Sequence, residues 1–525
     1  MGRKLIVFAL LLFCMAAVPA GAGEEGAATV PPAEVLAPLS QLDIRFERRD
    51  IQGDSIELTL PDAIRFTLEN NPDIRIEKLG VPITEQDIAR ERAAFDPVIE
   101  SKLSTGKSIT QSSSLLDGAV EPERTNTAAT VGLKEKMATG GTYGLSMTNQ
   151  RQWSNSTNTT VNPEYDTALR LDVSQPLLRS FGVDANSAGI RKAENAVRMA
   201  EQVWREQIIA AVATAMNTYW EMTFTIMDLQ VREVSLRQAQ QLLDENGQRF
   251  KAGTVPQTDL LASEAAVAGR ETDILQARAA IEAAEDQLKL LMSISSVRGD
   301  AAWALPISPK TAPQIEEVQA DYALSIETAK ALRPDYQRFL YDLKNRNIEL
   351  KYRRNQLWPS LDLNLSGELA GLGPDTSESF GNATSTDYHS VQGAVVLQIP
   401  LGNRAPTSAF YRAKLEQAQT DLRFERLKQT IVVQLRDAIR RVKTARTEIN
   451  ATETLRNAEW KRLQAERQRN LAGRSTSSDV LTFQELFAQA QRRYIRALVD
   501  YNQALVDLHR YQGTLLEYVN VQVVL

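Results

Sequence analysis

From Thr407 to Ala472 the chain contains neither glycine nor proline. At 1.5 Å per residue such a stretch makes a helical rod of roughly 100 Å. A second stretch, from about Asp184 to Phe250, is similar in length. Isolated rods of this kind are unstable in water and need side-on packing, so the chain is predicted to lay long helices against one another. The apolar pattern says where. Ala215, Met222, Leu229, Leu236, Leu243 and Phe250 recur every seven residues, as do Leu260, Val267, Ile274, Ile281 and Leu288, and again Val480, Phe487, Tyr494, Tyr501 and Leu508. Seven-residue spacing predicts coiled-coil packing of antiparallel hairpins.

Each rod ends in the same kind of interruption. "RFKAGTVPQTDLL" covers 249–261 and "RNLAGRSTSSDVL" covers 469–481, with Gly253 and Gly473, and likewise Asp259 and Asp479, 220 positions apart. Earlier landmarks also pair: Pro72 with Pro334 and Pro97 with Pro359, 262 positions apart in both cases. The chain therefore reads as a tandem duplication whose first copy carries roughly forty extra residues between Pro97 and Pro176. The expected organisation is a signal segment 1–22, an extended linker 23–57, repeat 1 over 58–297, a connection over 298–323, repeat 2 over 324–515 and a tail over 516–525. Each repeat opens with a helical pattern, 61–94 and 324–356.

Between the helices the period changes from seven to two. "TALRLDVSQ" sets Leu169, Leu171 and Val173 against Arg170, Asp172 and Ser174; "SLDLNLSG" sets Leu361, Leu363 and Leu365 against Asp362, Asn364 and Ser366. Such strands have one apolar and one polar face, as in a barrel with lipid outside and water inside, or in a soluble sandwich. Strands are expected at 98–107, 127–138, 142–152, 167–175, 360–370 and 390–399. The segments 108–126, 154–166 and 371–387 read as polar loops, whereas "MATGGTY" reads as a tight turn. Six strands cannot close a water-filled barrel alone, so several chains would share one.

The N-terminus supports export. Arg3 and Lys4 precede an apolar run from Leu5 to Val18, too short to span a bilayer, and then small residues around Ala20–Ala22. The only cysteine, Cys14, falls inside that segment, so the mature chain is expected to lack disulfides and thiolate sites. Loss of Arg3 and Lys4 takes the formal charge from −6 to −8, which argues against nucleic acid as a partner. "STGKS" (104–108) lacks the first glycine and the following helix of a phosphate loop. The two histidines, His389 and His509, form no metal or triad motif. No catalytic, metal or cofactor site is expected. Trp153, Tyr143, Tyr165, Trp358 and Tyr388 lie near strand ends, where an interfacial girdle would put them.

Taken in order, "LPDAIRFTLENNPDI", "LSIETAKALRPDY", the strand ends "QPLLRSFG" and "IPLGN", and the two turns in which "AG" is followed by Asp resemble the TolC-like outer-membrane efflux protein family over about 58–515. The resemblance implies an α+β membrane protein. Its tandem-repeat protomer would give a trimeric outer-membrane β-barrel, with about four to six strands per chain, continued by a long periplasmic α-helical coiled-coil barrel. The implied function is an exit duct for efflux or secretion, with a homotrimer, a periplasmic adaptor and an inner-membrane pump as partners, lipid around it, and no enzymatic activity. The competing reading is a periplasmic coiled-coil adaptor or scaffold. The family's usual four strands per chain give twelve; the hairpin "MATGGTYGLSMTNQ" raises the count here to six, hence eighteen, or else folds outside the wall.

The two turns carry the candidate sites. Gly253 and Gly473 suit helix C-termini, and Thr258 and Ser478 suit N-caps, with Asp259 and Asp479 in the first turn. By resemblance Asp479 falls at an acidic gate position, and Asp259 is its counterpart in the first repeat. A second acidic position is Thr482 here, and a gating arginine is replaced by Ser475. The resemblance also makes Gly253, Thr254, Val255, Gly473 and Arg474 candidates for docking the adaptor.

Overall fold

The computed structural model describes residues 55–112, 117–294, 303–318 and 321–521. The signal segment, nearly all of the linker before Ser55 and the last four residues lie outside the described residues. The elements, in chain order, are β1 (Ile56–Leu58), α1 (Leu60–Asn70), α2 (Pro72–Arg92), β2 (Val98–Ile109), β3 (Glu123–Lys136), β4 (Thr142–Ser154), β5 (Glu164–Pro176), α3 (Val183–Asn186), α4 (Ala188–Lys251), α5 (Gln257–Leu291), β6 (Ile307–Pro309), α6 (Tyr322–Leu332), α7 (Pro334–Asn355), β7 (Ser360–Gly373), α8 (Thr376–Thr384), β8 (His389–Gln398), α9 (Arg404–Leu471), α10 (Ser477–Gln512) and α11 (Leu515–Tyr518).

The rods are present as α4 and α9. In the second repeat every residue of the expected heptad series on α10, from Val480 to Leu508, is buried. In the first, Ala215, Met222 and Leu229 are buried while Phe250, next to the turn, is exposed. The opening helical patterns each divide in two. Asn71 and Arg333 are extended, and each precedes a proline that starts the next helix. Proline's ring excludes the helical conformation from the residue before it, so the break follows from "NP" and "RP". Asn71 uses the break: its Oδ1 accepts from the Asp73 amide at 2.9 Å, and its Nδ2 donates to the Leu291 carbonyl at 3.1 Å.

The upper helices lie side by side in the order α2, α4, α7, α9, and the hairpin helices in the order α5, α4, α10, α9. The six long strands form one antiparallel sheet in the order β2-β3-β4-β5-β7-β8. The hairpin of β3 and β4 is thus part of the same sheet as the other four long strands. β1 and β6 form a separate parallel pair, with Ile56 opposite Ile307. That pair plugs the waist, where Leu58 and Ile307 join Tyr219, Met222 and Ile226 of α4 and Ile281 and Leu288 of α5 in one buried cluster. The Tyr219 hydroxyl donates to the Leu58 carbonyl at 3.2 Å and accepts from the Thr311 amide at 2.9 Å.

One expected loop is a helix in part. Within 371–387, α8 is capped by Asp375, whose carboxylate accepts from the amides of Ser377 and Glu378. It lies directly on β5 and β7. A Cβ on Gly371 would stand 2.1 Å from the Ala383 nitrogen, so glycine is required where the helix crosses the strand. The Ser379 and Thr167 hydroxyls share a buried hydrogen bond of 2.8 Å. Local polarity marked a loop; the packing of a short capped helix on two glycines of β7 is long-range information.

Candidate functional site

The sheet register sorts its side chains into two faces. Leu133 stands opposite Ile99 and Leu145, Leu145 opposite Leu171, and Leu365 opposite Val173. These make a continuous apolar face on which Ile99, Leu145, Leu171 and Leu365 remain exposed in the single chain and Leu133 and Val173 are half-buried. The other face is polar. Arg170 there holds Asp172 through Nε at 2.9 Å and reaches Glu368 through Nη1 at 3.5 Å. Tyr143 and Trp153 mark opposite ends of the apolar face on β4, and Tyr165 stands opposite Arg151 on β5. "STGKS" runs extended inside β2. His389 opens β8 and His509 stacks on Tyr518, centroids 4.2 Å apart.

The flanks of the chain are open. β2 and β8 each pair on one side only. β2 follows α2, which carries exposed Ile76, Leu79 and Ile83; β8 leads into α9, which carries exposed Tyr411, Leu415 and Leu422. Both unpaired strand edges therefore continue into helices with apolar faces that no other described residue covers. An edge strand presents a row of unmet donors and acceptors, and exposed apolar patches of this kind mark interfaces.

At the far end of the rods the two turns have the same construction. Gly253 and Gly473 have φ of 71° and 70°, the left-handed region that glycine enters without a Cβ penalty. The Gly253 and Thr254 amides donate to the Phe250 and Arg249 carbonyls, and those of Gly473 and Arg474 to Asn470 and Arg469. This satisfies carbonyls that a helix end leaves orphaned. Gly253, Thr254, Gly473 and Arg474 are exposed and Val255 is half-buried.

The caps that follow differ from expectation. They are Pro256 and Thr476, not Thr258 and Ser478. Thr476 and Asp479 form a capping box. The Asp479 amide donates to Thr476 Oγ1 at 3.2 Å, and Thr476 returns its amide at 3.1 Å and its hydroxyl at 2.7 Å to Asp479 Oδ2. Ser475 adds a weaker bond to the same oxygen at 3.4 Å and donates a short one to Glu466. The hydrogen bonds from Thr476 hold the Asp479 carboxyl below the usual aspartate range. Because the folded value is the lower one, the cap contributes fully at neutral pH and is lost as pH falls through it. Hydrogen exchange of the segment 469–485 is therefore expected to accelerate on acidification in the native chain, and to be fast and pH-insensitive, after correction for intrinsic exchange, in Asp479→Asn. Thr482 sits one turn further on, exposed, with its hydroxyl on the Ser478 carbonyl.

The structure also joins the two turns. Arg249 donates to Asn470 Oδ1 at 3.1 Å, and Ser477 donates its hydroxyl to Asn246 Oδ1 at 3.0 Å and its amide to Asp259 at 3.5 Å. Asn246, fully buried, also holds Ser263 at 2.8 Å. Asp259 is thus placed against the N-terminus of α10, whereas Asp479 caps its own helix. Asn246, Asn470 and Ser477 escaped the reading of the sequence; the one available signal was a polar Asn246 on the buried face of α4. Higher up, Asp228 joins the hairpins. It takes Arg232 of its own helix at 2.8 Å and a short bond from Arg492 of α10, and Arg496 reaches Glu221 at 2.7 Å.

A model of the outer membrane efflux protein family matches residues 142–293 and 325–514. Solved structures share the fold at low identity. CusC, a transmembrane channel, is 16% identical with a TM-score of 0.64, over 89% of this chain and 96% of that one. The Campylobacter jejuni CmeC outer membrane channel is 14% identical with a TM-score of 0.63, over 87% and 86%. The open state of the Neisseria gonorrhoeae MtrE outer membrane channel is 16% identical with a TM-score of 0.60, over 87% and 89%. A comparison with curated proteins finds no match.

Proposed function

The chain belongs to the outer membrane efflux protein family, and we propose that three copies of it close into a single exit duct. It is an outer-membrane channel protein of α+β build, with two repeats and a large periplasmic helical part. The observation that carries the closed ring is the coincidence of its open flanks. The β2 edge and the α2 face lie on one side, and the β8 edge and the α9 face on the other. A head-to-tail contact that joins β8 to a neighbour's β2 also joins α9 to its α2. Such a contact repeats around a ring and leaves no edge. Three copies give eighteen wall strands. The family resemblance supplies the number of chains, a periplasmic adaptor and an inner-membrane pump.

Within that ring six turns share one periplasmic mouth. The exposed Gly253, Thr254, Gly473 and Arg474 and the half-buried Val255 are the surface offered to the adaptor. Asp259, Asp479, Thr482 and Ser475 are the groups offered at the gate. Asp479 enters that role already engaged as a helix cap, so its charge is held in place, and Asp259 is tied to the partner turn. The polar inner face of the sheet lines the conducting path. Native mass spectrometry of the detergent-solubilised protein is expected to show a trimer. Leu415→Asp with Leu422→Asp should lower its population at least tenfold, about 1.4 kcal/mol. A wild-type monomer that conducts no ions in planar bilayers would overturn the reading.

A further inference from the structure

Among the described residues, Lys107, Glu123, Glu135 and Arg151 are the charged side chains that alternate onto the same face of the long strands as Leu145, Leu171 and Leu365. Lys107 pairs with Glu123, and Glu135 accepts from the Tyr143 hydroxyl. Arg151 makes no ion pair, hydrogen bond or ring contact with another described residue. We propose that Arg151 binds the phosphate of a lipid headgroup in the outer leaflet, with Trp153 and Tyr165 as the aromatic sides of that site. This rests on the apolar face meeting lipid in the exit duct proposed above, and it does not depend on the number of chains.

The strand sets the depth of Arg151. The turn between β3 and β4 sits against the helical part, where the Gly182 amide donates to the Thr139 carbonyl at 3.0 Å. β4 leaves that turn at Thr142 and ends at Ser154, so its far end is the extracellular one. Tyr143 and Trp153 are ten positions apart on it. At about 3.4 Å per residue and about 40° of tilt, that is a climb of roughly 26 Å. The apolar band of a transmembrane barrel is about 25 Å tall and is bordered by aromatic residues on both sides. The two rings therefore stand at its two borders, and Arg151, two positions before Trp153, lies just within the outer one. At mid-depth a guanidinium is costly, but at the border its stem stays in the apolar layer while its head reaches the headgroups.

The neighbouring polar groups are already engaged with one another. Asn149 donates to Thr167 at 2.8 Å, and Thr167, fully buried, shares a 2.8 Å hydrogen bond with Ser379 of α8. Directly opposite Arg151 stand Thr127 on β3 and Tyr165 on β5, neither of them anionic. β4 is paired on both sides within its own chain, so Arg151 is not at a flank where a second copy would bring a carboxylate. At this depth the anions at hand are lipid phosphates, which attract basic side chains at a membrane surface. The planar guanidinium fork matches two phosphate oxygens at once.

Native mass spectrometry of the detergent-solubilised full chain, titrated with lipid A, tests the site. The wild type is expected to hold this phosphorylated lipid about tenfold more tightly than its dephosphorylated form, as one charge-assisted pair provides. Arg151→Gln should lose that preference. Arg151→Lys should keep part of it, because an ammonium supplies the charge without the fork. Arg278→Gln, which removes an exposed arginine from the hairpin helix α5, should behave as the wild type. Excess inorganic phosphate should leave lipid binding unchanged. Equal wild-type binding of the two lipid forms, an undiminished preference in Arg151→Gln, or displacement by inorganic phosphate alone would overturn the inference. If Arg151→Gln does not assemble, a cryo-electron-microscopy map of the wild type in nanodiscs containing lipid A decides, by whether headgroup density meets Arg151. A wild type that does not fractionate with the outer membrane removes the duct reading and this inference with it.

Discussion

Leu365→Arg is expected to keep the chain out of the membrane, while Ser366→Arg, one residue away, is expected to assemble and conduct. The two positions share β7 but face opposite ways. Leu365 is exposed among Val173, Leu363 and Leu369 on the apolar face. A guanidinium there must leave water for hydrocarbon, which costs about 2–4 kcal/mol at mid-depth in a barrel. A three-chain ring bears that cost three times. Ser366 stands opposite Asp172 on the polar face, where an added cation meets water and a carboxylate. Heat-modifiable migration and outer-membrane fractionation give the readout. Equal assembly of both variants would mean that the faces have been assigned wrongly.

Tyr219→Ala is expected to cost about 3–5 kcal/mol, as large aromatic truncations in cores do, and Tyr219→Phe about 1–3 kcal/mol. The ring is fully buried at the waist and meets Trp220 edge-on, centroids 5.4 Å apart. Its hydroxyl bonds both strands' surroundings, through Leu58 on one side and Thr311 on the other. Removing the hydroxyl leaves the Thr311 amide without that partner; removing the ring also leaves a cavity between α4 and the β1–β6 pair. Thermal unfolding of the purified protein measures both. A phenylalanine variant as unstable as the alanine variant would assign the whole effect to the hydroxyl, against the packing argument.

The caps show where sequence reading stopped. Ser475, Thr476, Ser477 and Ser478 are four consecutive residues of the types that cap helices. Thr476 takes the role because the turn after Gly473 leaves it extended, with φ −87° and ψ 160°, three residues before Asp479. In the first copy Pro256 occupies the equivalent place and has no side chain to cap with, so the two turns share their glycine geometry and differ in their caps. Asp259, freed from capping, is then available to the amide of Ser477.

Periodicity and chain breaks determined a great deal by themselves. The rods, their turns, the duplication, the six strands and the assignment of Leu365 and Ser366 to opposite faces all follow from spacings of seven and two and from where glycine and proline fall. These are local properties, and local sterics decide them. The tertiary structure alone decided that β3 and β4 join the same sheet as the other four long strands, that α8 packs on β5 and β7, and that Asn246 meets Ser477 and Asp228 meets Arg492. Each of these depends on which elements lie side by side and in what register over separations of hundreds of residues, and no spacing within one element records that.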